Sequence, residues 1–336
     1  MRKLKRLVLF LLLAGLLGGG ALAWALLTPA GNFTQPVFFE VGRGMSGSRI
    51  AQGLTDAGII ASPWHLWLAR ALAPSAKLQA GQYRFETPTS VWRVFDKIRR
   101  GEIYFFEFTV PEGSNVFDIA DALEAQGIMK AGAFLEAAAE PAPIQDIAPQ
   151  ARTLEGYLFP STYRLNASTT APVLIQQMTS EFRRQWHRLN PSAAIKAHNI
   201  VTLASLVEKE TGVAGERRKI ASVFANRLEK GMLLQCDPTT IYAALLDNRY
   251  RGVLHRSDLD RASPYNTYQS PGLPPGPIAN PGAAALEAAL HPDQTDYLFF
   301  VATPEGGSHH FSATSAEHER AVALYRHAEQ AKKGSK

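Results

Sequence analysis

The chain has 336 residues, of which 46% are hydrophobic and 19% are charged, which is enough for a sizeable core and for more than one domain. Arg2, Lys3, Lys5 and Arg6 carry four of the five excess positive charges, so the near-neutral remainder excludes a nucleic-acid-binding surface and a nucleic-acid partner. Cys236 is the only cysteine, which excludes an intramolecular disulfide and leaves the fold dependent on its core.

The first predicted element is an uncharged apolar segment, residues 7–27. At about 1.5 Å per residue it is long enough to cross a hydrocarbon core of about 30 Å. Basic residues before it predict a cytoplasmic tail (1–6), one transmembrane anchor (7–27) and an exported body. A cleaved signal peptide is the competing interpretation, because ALAWA is rich in small residues, but the apolar run exceeds a usual signal sequence. An exported protein without disulfides fits a bacterial cell envelope.

Two similar segments follow within residues 36–136. VGRGMSGSRIAQGLTDAGII starts at Val41, and VPEGSNVFDIADALEAQGIM starts at Val110. Each predicts a strand, a glycine turn, a short amphipathic helix and a glycine C-cap. The unit resembles the LysM module, which holds glycan chains, so we expect a LysM-like α/β subdomain with two similar units. Two packing units that bind no ligand are the alternative. The identical pairs are Gly44/Gly113, Ile50/Ile119, Ala51/Ala120, Leu54/Leu123, Gly58/Gly127 and Ile59/Ile128.

The remaining pattern predicts an α+β protein with a helix-rich second domain. Between the copies, GQYRF alternates like a strand, and TSVWRVFDKIRRG predicts a capped helix that ends at Gly101. An Ala/Pro-rich stretch predicts a boundary before a domain at residues 152–332. Its predicted elements are helices near 171–189, 201–210 and 216–230, a small antiparallel sheet formed by a hairpin with Gly306 and Gly307 at the turn, and a last helix capped by Thr314 and Glu317.

The stretch ASLVEKETG places two glutamates at the end of a predicted helix. At about 100° per residue, the leucines and the valine of LASLV share one face; Glu210 projects from its middle and Glu208 lies at its edge. A carboxyl on an apolar face must find a partner, keep its proton or face a cleft, and desolvation raises its pKa toward the range of a general acid. Glu210 is therefore the better catalytic candidate. The alternative is an ion pair with Arg217 or Arg218 at the helix end.

Four ordered motifs carry a resemblance to a known family: LEGYLFPSTY, ASLVEKETGVAGERRKIASVFANRL, LLQCDPTTIY and YNTYQSPGLPPGPIANPG. Together they resemble the YceG-like (MltG) endolytic murein transglycosylases, over nearly the whole chain. The resemblance implies a lyase that cleaves MurNAc–GlcNAc bonds within nascent peptidoglycan strands, leaves 1,6-anhydro-MurNAc ends and needs no cofactor. It places the catalytic glutamate at Glu210. Departures are modest: Ser161 stands where relatives carry Asp, and Cys236 where Thr is usual.

The implied chemistry explains why one carboxyl suffices. Ordinary glycosidases use two carboxyl groups. In a lytic transglycosylase the sugar's own C6 hydroxyl attacks C1, so Glu210 would protonate the leaving oxygen and then accept the C6 proton. No activated water is needed, and a second catalytic carboxylate is not required.

Other motifs supply candidates for substrate contacts, each with a structural alternative. Glu155 either bonds sugar hydroxyls and orients Glu210 or holds a backbone turn. Gln235 is expected to contact substrate, whereas Asp237, followed by Pro238, either contacts substrate or caps a helix.

The aromatic loop and the histidine pair add further candidates. Tyr265, Asn266 and Tyr268 either meet sugars or pack their loop. His309 matches a family histidine and is expected to border the cleft. His310 points to the opposite face of the strand, so we expect no metal site.

The resemblance also implies a cellular setting. It suggests peptidoglycan glycan strands and peptidoglycan synthases as partners, a role in limiting glycan strand length, and a single-pass protein of the bacterial inner membrane with its C-terminal body in the periplasm. The alternative function belongs to a different class: a non-catalytic scaffold of the wall-synthesis machinery that holds peptidoglycan through the LysM-like units.

Overall fold

The computed structural model describes residues 2–189, 191 and 196–334 of the chain. It divides into two compact units: Met1–Glu107 with Arg164–Thr169, and Phe108–Tyr163 with Thr170–Lys336. The predicted α+β class is confirmed, because helices dominate and the sheets are small. The first repeat copy lies in the first unit and the second copy in the second unit. The domain limits 36–136 and 152–332 stay a prediction.

The first unit combines a long N-terminal helix with a small α/β body. Strands β1 and β2 pair antiparallel, from Val37 opposite Phe85 to Val41 opposite Gly81. Period-two alternation buries Tyr83 and Phe85 in the core, as predicted for GQYRF. The elements are α1 (Arg2–Leu27), β1 (Val37–Val41), α2 (Gly47–Asp56), α3 (Pro63–Leu72), β2 (Gly81–Phe85) and α4 (Val91–Arg100).

The second unit carries most of the remaining helices. The chain passes between the units within β3 and β4, which form a two-stranded sheet. The elements are β3 (Phe106–Thr109), α5 (Val116–Ala125), α6 (Ala131–Ala138), β4 (Thr162–Leu165), α7 (Ala171–Leu189), α8 (Ala197–Glu210), α9 (Arg217–Glu229), α10 (Asp237–Leu246), α11 (Arg256–Leu259), α12 (Ala283–Leu290), β5 (Phe299–Ala302), β6 (His309–Ser312) and α13 (Ser315–Gly334).

The two repeat copies adopt the same local structure. Gly44 and Gly113 both have φ of 75° after their strands, and Gly58 and Gly127 have φ of 70° and 67° after α2 and α5. A positive φ favours glycine, which explains why these positions match between the copies. The predicted order of strand, turn, helix and glycine is confirmed. The likeness to LysM and any glycan binding stay a prediction.

Helix α8 lies at the centre of the second unit, where it contacts α9, α10 and α12. All residues from Val201 to Val207 are buried. The hydroxyls of Thr202 and Ser205 are buried because they donate to carbonyls of their own helix, at 2.7 Å each. Burial therefore extends around the whole helix, beyond the single apolar face that the spacing predicted.

The Pro/Gly-rich segment, residues 263–282, is packed against α8, and its residues 276–282 are buried. Its backbone groups find side-chain partners, as buried backbone requires. The carbonyl of Pro275 can only accept, so His198 Nε2–H donates to it at 2.9 Å, and His198 Nδ1 is hydrogen-bonded to the hydroxyl of Tyr157. The N–H of Ile278 donates to the hydroxyl of Ser205 at 3.1 Å. These bonds attach the segment to α8.

Candidate active site

Glu210 is the last residue of α8 and is partly buried. The thiol of Cys236 donates a hydrogen bond to its Oε1 at 2.9 Å. In the part of the chain that the structure describes, Glu210 makes no ion pair. Burial raises its pKa and the charge of Asp237 adds to this, whereas the Cys236 hydrogen bond and His309 oppose it. A carboxyl with a raised pKa keeps its proton closer to neutral pH, as a general acid must.

Glu208 occupies a different environment, although it is only two residues away. Its Oε1 accepts from Arg217 Nη2 at 3.4 Å, with 5% and 11% of the two side chains exposed. Its Oε2 accepts from the N–H of Gly282 at 2.9 Å. Arg218 pairs instead with Asp293, at 3.1 Å. The arginines considered as partners for Glu210 are therefore engaged by other carboxylates.

Residues 235–237 lie beside Glu210. Gln235 is exposed and has φ of 52°, a left-handed conformation that is uncommon for a residue with a side chain. Asp237 is also exposed and accepts a hydrogen bond from the hydroxyl of Tyr268 at 2.6 Å. It is the first residue of α10 and Cys236 is the N-cap, so Asp237 does not take the capping position. Its carboxylate is therefore available to a ligand.

The conformation of this segment is enforced by Arg227. Its Nη1 donates to the carbonyls of Leu233 and Leu234, at 3.1 and 2.9 Å, and its Nε donates to the carbonyl of Leu298 at 2.6 Å. The N–H of Gln235 donates to the carbonyl of Thr267 at 3.1 Å. A strained backbone persists only where its surroundings hold it, and such positions cluster at functional sites.

The aromatic loop divides into two kinds of residue. Asn266 is buried, and its amide is fully used: Oδ1 accepts from the hydroxyl of Thr240 and the N–H of Tyr268, and Nδ2 donates to backbone carbonyls, including that of Arg261 at 2.7 Å. It matches the loop-packing alternative. Tyr265 and Tyr268 are partly exposed and keep ring surface for a ligand.

Glu155 lies beneath the surface, with 2% exposure. Its Oε2 accepts from the N–H of Val116 and the hydroxyl of Tyr242, both at 3.0 Å, and its Oε1 accepts from Asn280 Nδ2 at 3.1 Å. Burial raises its pKa to about 8, against the opposing effect of these hydrogen bonds. None of the partners is Glu210. This placement favours the structural alternative, in which Glu155 holds backbone: it accepts from the N–H of Val116 at the start of α5 and also binds Asn280.

His309 is fixed by Glu216. Its backbone N–H and its Nδ1–H donate to the two carboxylate oxygens of Glu216, at 2.8 and 2.7 Å. Burial acts to raise the pKa of Glu216, but the hydrogen bonds and charge of His309 outweigh it and lower that pKa. His310 is exposed on the opposite face of β6. Within the described residues, no three His, Cys, Asp or Glu side chains are grouped as metal ligands would be.

The structure thus brings together some of the residues that the sequence analysis predicted to form the active site. Glu210, Cys236, Asp237 and Tyr268 form one polar cluster, with His309 close enough for its charge to act on Glu210. Sequence reasoning missed Cys236 as a partner of Glu210, although its position between Gln235 and Asp237 could have indicated it. It also missed the pairing of Glu216 with His309, because 93 residues separate them and no local pattern links them.

Comparisons with known proteins extend over most of the chain. The YceG-like family model matches residues 39–324. A Bacillus subtilis (strain 168) protein named endolytic murein transglycosylase is 35% identical over 309 residues, which cover 86% of this chain and 84% of the relative. Two Streptococcus pneumoniae proteins of the same name, from strains D39 and R6, are 32% identical over 278 residues, which cover 73% of this chain and 50% of each relative.

A solved structure gives the same result. The 2.6 Å crystal structure of a YceG-like protein from Listeria monocytogenes matches with a TM-score of 0.56 at 30% identity, over 85% of this chain and 98% of that chain. Sequence and fold therefore agree: the chain belongs to the YceG-like family.

Proposed function

We propose that this chain is an endolytic murein transglycosylase, a lyase that cleaves glycosidic bonds within peptidoglycan glycan strands. The names of the Bacillus and Streptococcus relatives support this activity. The observation that supports it most directly is the position of Glu210, a partly buried carboxyl with a raised pKa and no ion pair among the described residues, next to the exposed Gln235 and Asp237. A pure glycan-binding scaffold does not require a desolvated carboxyl at this position, because such a group costs stability when it ionises.

Glu210 serves as the acid and then as the base. It donates its proton to the bridging oxygen while the bond from C1 of MurNAc to that oxygen breaks. The C6 hydroxyl of the same MurNAc bonds to C1 and gives its proton to the Glu210 carboxylate. The acid is regenerated, no water is consumed, and the new end is 1,6-anhydro-MurNAc. Proton transfer by a positioned side chain contributes about 10²–10⁴-fold to rate.

Asp237 provides the electrostatic part of the mechanism. Cleavage passes through a state with positive charge on the sugar ring. The Asp237 carboxylate, held by the hydroxyl of Tyr268, is near enough to act on the pKa of Glu210. We assign to it the stabilisation of this positive charge, and to Gln235 and Tyr265 contacts with sugar hydroxyls and ring faces. Glu155 and Asn266 have structural roles in this proposal.

The test is digestion of purified sacculi by the full chain in detergent. Glu210→Gln is compared with wild type and with Glu287→Gln, a matched change at an exposed position of α12. We expect anhydro-ended fragments and a shorter strand-length distribution from wild type and Glu287→Gln. Glu210→Gln should lose at least about 10²-fold of this activity. Identical products from wild type and Glu210→Gln would remove the enzymatic proposal, and reducing ends would indicate a hydrolase.

The proposed setting is a bacterial cell membrane with the body in the periplasm. Helix α1 supports this because Lys3–Leu27 is long and apolar enough to cross a bilayer. Work beside peptidoglycan synthases, a limit on glycan strand length and glycan binding by the LysM-like units belong to the same proposal. Co-purification of the full chain with a synthase from membranes, compared with a chain that lacks residues 2–27, tests the partner.

A further inference from the structure

Helix α3 (Pro63–Leu72) exposes large apolar side chains on one face. Leu66 and Ala69 are buried on its other face. Trp64 and Trp67 are 52% and 46% exposed, and Leu72 is 56% exposed. A helix that is apolar all round is normally buried on every side, and an exposed apolar patch indicates an interaction site.

Helix α3 lies next to the end of α1. Helix α1 contacts both α3 and α4. The rest of the unit covers only its last two turns: Leu22 packs against the core, and Ala25 and Leu26 are buried, whereas residues 3–21 are exposed. A hydrocarbon core of about 30 Å that begins near residue 7 ends about 20 residues later. The contact between α1 and α3 therefore falls where the bilayer meets water.

The charge of the region suits a phospholipid surface. Residues 57–85 contain no Asp or Glu, but they include Arg70 and Lys77; Arg84 in the same stretch pairs with Glu86 at 3.1 Å. The guanidinium of Arg70 lies 5.9 Å from the ring centre of Trp67. Tryptophan and basic side chains are the residues that concentrate at the headgroup level, where rings sit among the glycerol groups and cations reach phosphates.

We propose that the exposed face of α3, formed by Trp64, Trp67, Ala71 and Leu72, docks on the phospholipid headgroup layer of the membrane that α1 crosses. Helix α3 contacts α1, whose last turns are buried in the same unit, and this position beside the anchor selects the bilayer over a wall glycan or a second copy of the chain. Docking adds a second attachment to the anchor and fixes the first unit against the membrane. The proposal rests on α1 spanning a bilayer and is independent of catalysis.

The test places a nitroxide on α3 in the full chain, reconstituted in phosphatidylethanolamine–phosphatidylglycerol bilayers. Ala71→Cys keeps both tryptophans, and Cys236 stays unlabelled because it is buried, which the labelled parent chain checks. Leu16→Cys in α1 is the lipid reference, and Glu86→Cys, exposed in the same unit, is the water reference. At positions 71 and 16, oxygen should broaden the spectrum more than a nickel chelate does. At position 86 the order should reverse.

Further measurements distinguish whether α1 spans the bilayer from whether α3 docks on its surface. Adding Trp64→Ser and Trp67→Ser to the Ala71→Cys chain should shift its label toward water and leave the label at position 16 unchanged. A label at 71 that is as water-accessible as that at 86, with 16 in lipid, overturns docking. Water access at 16 overturns the premise and docking together. If the label at position 71 is protected from water only when glycan strands are added, the face binds glycan instead. If spin–spin broadening at position 71 disappears on dilution with unlabelled chain, the face binds a second copy of the chain.

Discussion

The thiol of Cys236 donates a hydrogen bond to Oε1 of Glu210 across 2.9 Å. The cysteine is buried at the N-cap of α10, and its backbone N–H donates to the hydroxyl of Thr267 at 3.0 Å. Burial and the neighbouring Glu210 raise the pKa of the thiol well above its usual range, so it stays a protonated donor. Cys236 therefore acts as a positioning residue that fixes the orientation of the Glu210 carboxyl.

Removing this donor should move the pH profile of cleavage. The Cys236 hydrogen bond lowers the pKa of Glu210 against the effect of burial, so Cys236→Ala should raise that pKa. In the proposed mechanism Glu210 acts as the protonated acid, so the high-pH limb of kcat/KM should move to higher pH. Cys236→Ser retains a donor and should stay near wild type. Release of anhydro-ended fragments across pH measures this; superimposable limbs for the Ala and Ser variants would argue against a positioning role.

Substitutions at Glu208 and Glu210 should have opposite effects: the first should lower the unfolding free energy, and the second should lower activity. Glu208→Ala leaves the buried Arg217 guanidinium without its carboxylate and frees the N–H of Gly282, so we expect a loss of about 3–5 kcal/mol in unfolding free energy. Glu210→Gln removes a carboxyl whose charge burial disfavours, so at neutral pH it should unfold no more easily than wild type while losing activity. Denaturant unfolding of both variants at pH 7 provides the comparison. Greater destabilisation by Glu210→Gln would reverse the assignment of the two roles.

Glu155 should make stability depend on pH. Burial raises its pKa from 4.5 to about 8 in the folded protein. The folded state therefore holds this proton more tightly than the unfolded chain, and the stability gained is fully present below about pH 4.5 and lost as pH rises through about 8. The shift corresponds to on the order of 5 kcal/mol. Glu155→Gln cannot titrate, so the unfolding free energy of wild type should fall relative to this variant over that interval. Parallel pH curves for the two proteins would contradict it.

Local patterns in the sequence predicted local structure well. Helix α7 begins and ends at Ala171 and Leu189 as the periodicity indicated, and Thr314 and Glu317 form the expected capping box of α13. Both depend on residues close in sequence, so spacing carries the information. For the same reason, the repeat alignment correctly predicted the left-handed glycines.

Local patterns could not predict which side chains pair with partners far away in the sequence. The spacing of α8 favoured Glu210 as the carboxyl on the apolar side, yet the side chain of Glu208 is only 5% exposed and is satisfied by Arg217 and by a backbone N–H 74 residues away. Glu155 finds Asn280 at a separation of 125 residues. Periodicity predicts which residues face a core, but it does not predict which hydrogen-bond donors they meet there. A structural carboxylate and a substrate-binding carboxylate therefore cannot be told apart from the sequence.

Gly156 and Gly272 offer a matched test of the support beside α8. Their φ values, 86° and 84°, are nearly equal, but a Cβ at 156 would lie 2.5 Å from Cβ of Pro277 and 2.9 Å from Cγ1 of Val201, whereas at 272 nothing lies within 4 Å. Gly272→Ala therefore adds only backbone strain, about 1–2 kcal/mol. Gly156→Ala adds overlap with the Pro/Gly-rich segment and with α8, so we expect a further 1–3 kcal/mol.

Urea unfolding of both glycine variants measures the difference, and sacculus digestion reports whether the displaced segment disturbs Glu210. We expect Gly156→Ala to lose both stability and activity, because Val201 belongs to the helix that ends in Glu210. Gly272→Ala should retain activity in proportion to its folded fraction. Equal unfolding free energies for the two variants would mean that the backbone at Pro277 moves aside at no energetic cost. The Pro/Gly-rich segment would then not be what holds the end of α8 in place.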